Sequence, residues 1–151
     1  MLVSQDAAKT LNNLIETCID GENGFRAAAD ALQNTELANE LRNYSEQRHQ
    51  FAARLQDLVG ESGDTPTDSG SAAATLHRGW MNLRSAISSH DRYAILAECE
   101  RGEDSAVEAY REAISEAQLP PDASQLIETQ LRSVKSTHDR IKALRDTSKP
   151  A

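Results

Sequence analysis

Apolar side chains recur every three or four positions along most of this chain, the spacing of helices that bury one face. The first stripe, Leu11, Leu14/Ile15, Cys18, Glu22, Phe25, Ala29, Leu32, predicts a helix over about 4–32. Gln33-Asn34-Thr35 reads as a tight turn with Thr35 as the N-cap of a second helix, striped by Leu37, Leu41, Tyr44, Arg48, Phe51, Leu55 and Leu58. So short a turn makes the two helices antiparallel neighbours. Residues 60–70 carry turn formers and no apolar period, which predicts a flexible loop. A shorter helix over about 71–88 follows, with Leu76, Trp80, Leu83 and Ile87 on one face and Trp80 as its anchor.

Ser89-His90-Asp91 breaks the chain before a helix over about 91–118, striped by Tyr93, Leu96/Ala97, Glu100, Glu103/Asp104, Val107, Tyr110 and Ile114. Asp122 with Gln125 three residues on has the capping-box pattern. It opens a last helix to about Arg145 through Leu126/Ile127, Gln130/Leu131, Val134, His138, Ile141 and Leu144, with 147–151 a frayed tail. No stretch alternates as a strand does. The expectation is one all-α domain over 1–151, a ferritin-like up-down four-helix bundle with a short helix in the long crossover between its second and third core helices.

Charged side chains interrupt these stripes. Glu22, Arg48, Glu100, Glu103 and His138 occupy positions where the period calls for leucine, and a buried charge is costly unless paired, hydrogen-bonded or metal-bound. The interior should therefore hold a polar network or a metal site. In di-iron bundles of this connectivity two helices each give a Glu and two each give Glu-x-x-His, all pointing inward. Glu22 fits, and Glu100 and Glu103 lie about one turn apart on the inner face of their helix. Glu46-Gln47-Arg48-His49 has the spacing but projects Glu46 off the stripe, and His138 has Lys135 at i–3. The candidate metal ligands are Glu22, Glu100, Glu103 and His138, for iron, zinc or manganese. The competing reading takes precedence: Arg48 neutralises Glu22, Glu100 and Glu103, and His138 and Gln130 complete a metal-free polar core.

Glu98, Arg101 and Glu108 fall on the outward face of the same acidic helix. His77 lies beside the apolar face of the crossover helix, where it either packs or reaches into the polar core. His90 reads as a helix-start residue and His49 as an edge residue. Gly21 and Gly24 flank Glu22 and suggest a kink or a close approach.

The net charge of -8 argues against nucleic acid or an anionic membrane surface as partner. No run approaches the length of a membrane span, and the N-terminus lacks the features of a secretory signal. Cys18 and Cys99 have no CxxC spacing and read as small core residues in a reducing cytoplasm. No phosphate loop, nucleophile elbow or HExxH is present.

The phrases Leu11-Asn12-Asn13-Leu14-Ile15-Glu16, Asp20-Gly21-Glu22-Asn23-Gly24-Phe25, His77-Arg78-Gly79-Trp80, Glu98-Cys99-Glu100-Arg101-Gly102-Glu103-Asp104 and Gln130 to Arg140 resemble a bacterial family of small ferritin-like bundles classed as a domain of unknown function, DUF2383. The resemblance spans nearly the whole chain and implies a ferritin-like bundle in a cytosolic bacterial protein, with no established activity. The iron ligands of the wider superfamily match at Glu22, at one of Glu100 or Glu103, and at His138, while Arg48 and Lys135 depart from them. The expected role is non-enzymatic: structural, stress-related or partner-binding, with a homodimer or a protein partner both open. The alternative is a metalloprotein with oxidase or metal-handling activity.

Overall fold

The computed structural model describes residues 5–33, 35–61, 63, 65–68, 80–116 and 118–148. They form five helices, α1 Gln5–Leu32, α2 Glu36–Glu61, α3 Leu83–Ser88, α4 Arg92–Glu116 and α5 Pro121–Thr147, with no strand among the described residues.

Local chemistry sets the helix boundaries. Thr35 Oγ1 accepts from the Ala38 backbone N–H at 3.0 Å, satisfying one of the free donors at the start of α2. Asp91 Oδ1 does the same for Tyr93 at the start of α4, at 3.0 Å. The capping box expected at Asp122 and Gln125 does not form. Pro120 is the N-cap of α5, Pro121 occupies its first turn, and no side chain caps it. A proline there has no N–H to leave unsatisfied and a φ already suited to the helix, so it starts the element alone. α1 runs unbroken through Gly21 and Gly24, and of the kink or close approach expected there it is the close approach that is seen, with the Arg48 side chain over Gly21 and the Trp80 ring over Gly24.

Early α1 shares a core cluster with the ends of α2 and α4 and the start of α5, through Leu11, Leu14, Leu55, Val59, Ala113 and Ile127. Late α1 shares a second cluster with the starts of α2 and α4 and the end of α5, through Phe25, Ala28, Leu37, Leu41, Leu96 and Ile141. α2 and α4 therefore both run antiparallel to α1 and parallel to each other, while α5 runs antiparallel to both. The α2–α4 connection must cross the length of the molecule. The closest helix pairs are α1 with α2 and α4 with α5; α1 also packs on α4, and α2 barely approaches α5.

Of the crossover helix expected over 71–88, only Leu83–Ser88 is described as helix; Leu76 and His77 lie outside the described residues. Trp80 sits in a turn ahead of α3 and is 1% exposed. A Cβ on Gly24 of α1 would lie 2.4 Å from its ring, and one on Gly102 of α4 would lie 2.1 Å from it. The two glycines are notches for the indole, which also meets Phe25 edge-on with centroids 5.1 Å apart.

Part of the loop expected over 60–70 is tied down. The Thr67 N–H donates to Asn12 Oδ1 at 2.9 Å, and Gln56 Nε2 donates to the Thr67 carbonyl at 2.9 Å. Asn12 and Gln56 supply from α1 and α2 the partners that this backbone would otherwise take from water.

Candidate functional site: a buried ion pair and its polar margins

Arg48 of α2 reaches across the interior to Glu103 of α4. Nη2 donates to Oε2 at 2.7 Å, Nη1 donates to Oε1, and both residues are at most 1% exposed. Their backbones never come within 8 Å Cα to Cα, so the fork is a brace between diagonal helices. The guanidinium also lies 5.4 Å from the Phe25 ring centroid, within cation–π range. Burial acts to lower the Arg48 pKa, but the Glu103 carboxylate outweighs it and holds the group charged. Only Nε of this guanidinium lacks a partner.

A neutral chain runs beside the pair. Tyr110 OH donates to Gln130 Oε1 at 2.6 Å and accepts a hydrogen bond from the Cys18 thiol at 3.1 Å. Gln130 Nε2 closes on the Phe51 carbonyl at 3.4 Å. These contacts join α4, α5, α1 and α2 in turn. By its spacing Cys18 is apolar filler; its bond to Tyr110 has no signature in the sequence.

Burial lifts the Cys18 thiol from its ordinary 9.0 to about 11, and raises Cys99 further. A folded-state pKa above the unfolded one stabilises while both states are protonated and is lost as pH rises through the gap. Stability is thus expected to fall from about pH 9 toward pH 11 as the unfolded thiols ionise first. At pH 8 a thiol-specific chromogenic reagent should label neither cysteine until urea unfolds the chain; rapid labelling of the native protein would contradict this burial.

The remaining candidates lie elsewhere. Glu22 does not join Arg48: its side chain is 20% exposed and pairs at 3.2 Å with His49 at the α1–α2 edge. The inner face of α1 at this level is Gly21, over which the Arg48 side chain passes; a Cβ at Gly21 would lie 3.5 Å from its Cγ and Nη1. Glu100 turns away from Arg48 to Arg145, its other oxygen standing 3.7 Å from His138 Nε2. His138, at the α4–α5 margin, lies 2.6 Å from Asp104 Oδ1 and 3.1 Å from Asp139 Oδ1. Burial acts to lower its pKa, and Asp139 and Asp104 together raise it.

Glu98, expected to face outward, is 2% exposed. It accepts the Asn82 backbone N–H at 3.0 Å and pairs with Arg101, so it fixes the Trp80 turn onto α4. Its face of α4 is covered by the turn and α3 rather than by another long helix, which a single-stripe reading does not foresee.

Fold and site define an all-helical protein with an ionised interior. The chain belongs to the family described as Domain of unknown function (DUF2383), whose model matches residues 6–116. That match holds Arg48, Glu103, Cys18 and Tyr110, and ends before α5 with its Gln130 and His138. No curated protein matches the chain.

Proposed function

We propose that this protein is a ferritin-like four-helix bundle, bacterial and cytoplasmic, whose interior is closed by a permanent ion pair and which serves as a non-enzymatic scaffold for a protein partner. The observation that carries the reading is the Arg48–Glu103 fork. It fills the interior that bundles of this connectivity give to metals, and it commits both carboxylate oxygens of Glu103 to a guanidinium.

The donors present do not fit a di-iron centre. α2 offers a cation, Glu22 stands at the edge with His49, and His138 has Lys135 in place of a carboxylate one turn before it. Met81 is the one large apolar side chain exposed among the described residues, which favours a polar partner surface over an apolar dimer interface. Free, buried cysteines accord with a reducing compartment.

The test is anaerobic Fe(II) loading followed by air, with bound iron and its oxidation followed optically. The expected result is no oxidation dependent on Glu103. Oxidation of about two ions per chain, abolished by Glu103→Gln, would replace the scaffold reading with a metalloenzyme.

A further inference from the structure

We propose that Glu100 and Asp104 of α4 and His138 of α5 form a site for a divalent transition-metal ion at the helix seam, separate from the interior ion pair. One ligand atom from each lies within 4.8 Å of the others.

The argument starts from the imidazole. Nδ1 stands 3.1 Å from Asp139 Oδ1, and with the proton on Nδ1 this contact turns the Nε2 lone pair toward Asp104 and Glu100. Nε2 is buried, with Asp104 Oδ1 2.6 Å away and Glu100 Oε1 3.7 Å away. A neutral Nε2 there would put three acceptors around one point, so the position calls for a positive charge, either a proton or a metal ion.

The margin is built as known sites are. The carboxylate–imidazole–metal order, with Asp139 behind the ring, is the outer-shell arrangement that orients a metal-binding histidine. Glu100 and Asp104 are four residues apart on one helix face and meet His138 from the neighbouring helix, so the helix pair sets the spacing. Metal–ligand bonds of about 2.0–2.2 Å put neighbouring donors about 3–3.5 Å apart, which small side-chain rotations supply here. Glu100, Asp104 and Asp139 bring three negative charges against the guanidinium of Arg145, itself shared with Asp146. With Asp146 counted, four carboxylates surround that one guanidinium, an excess of negative charge that favours a cation.

One imidazole with two carboxylates suits zinc, manganese or ferrous iron better than calcium or a soft cuprous ion. A cleft lined in part by Asp104, Glu108, Lys135 and His138 leaves the seam open for entry and for water as further ligand.

Zinc is the probe: equilibrium dialysis of the tag-free full chain against Zn2+, with thermal melting alongside. The expected stoichiometry is about one ion per chain, with affinity weakened about tenfold or more by His138→Ala, Asp104→Asn and Asp139→Asn. Asp104 is exposed, so its Asn variant keeps the test open if His138→Ala fails to fold. His49→Ala, at the other Glu–His contact, should bind as the parent does. Zinc should raise the melting temperature of the parent and leave that of Asp104→Asn unmoved. Absence of binding by the parent, meaning that a proton alone fills the gap, overturns the site. So does binding that neither Asp104→Asn nor His138→Ala weakens.

Discussion

Arg48→Met should destabilise the protein by about 3–5 kcal/mol, because it leaves the Glu103 carboxylate in the interior with no counter-charge. In urea the midpoint should fall by about 1–3 M at nearly constant slope. Glu103→Ala should cost at least as much. A stranded glutamate can take up a proton, whereas a guanidinium does not give one up at any pH at which the protein folds. Removing both charges reverses the expectation: Arg48→Met with Glu103→Leu should recover most of the loss and can exceed the parent's stability, since the attraction between the pair offsets two large desolvation costs. A single-variant loss below about 1 kcal/mol, the range of exposed pairs, would mean that the brace is hydrated and the scaffold reading loses its main support.

Trp80→Ala should cost about 3–5 kcal/mol, the range for emptying a fully buried aromatic site. The informative partner is Gly102→Ala. In a free helix that change favours the fold by about 1 kcal/mol. Here the new methyl would meet the indole at 2.1 Å, and the ring cannot retreat because Gly24 holds its other side. The expected net effect is a loss of about 1–3 kcal/mol, or several degrees of melting temperature for a chain of this size. With Trp80 already replaced by Ala the clash is gone, and Gly102→Ala should become neutral or stabilising. A thermal-melting cycle reads this change of sign. If Gly102→Ala costs the same in both backgrounds, the notch is not what makes glycine necessary there.

The long helices are legible in the sequence because each buries one continuous face against two neighbours, and a 3.6-residue period reports such a face directly. Arg48 and Glu103 stand out for the same reason: they sit mid-stripe, where only apolar side chains or matched charges are tolerated. Glu22 shares a stripe by spacing, but a stripe has width, and its margin at Glu22 meets solvent and His49 instead of the interior. Glu98 escapes such a reading because its cover comes from Asn82 and the Trp80 turn, sixteen residues back, and no local pattern encodes that docking. The pairing of His138 with Asp104 is likewise set by the axial offset of α5 against α4, which periodicity leaves free. At the start of α5 two signals compete, and the proline at the first turn prevails over the Asp–Gln box.

Because neither member of the diagonal brace meets water, dissolved ions cannot gather around it, and the tie between α2 and α4 is indifferent to ionic strength. Arg140 and Glu40, which link α5 to α2 at the surface at 3.0 Å and 3.2 Å, lie inside the ion atmosphere. Screening there acts over about 8 Å at physiological salt and shortens as salt rises. Salt therefore weakens the Arg140–Glu40 link at the sparsely packed α2–α5 edge and leaves the central tie as it is.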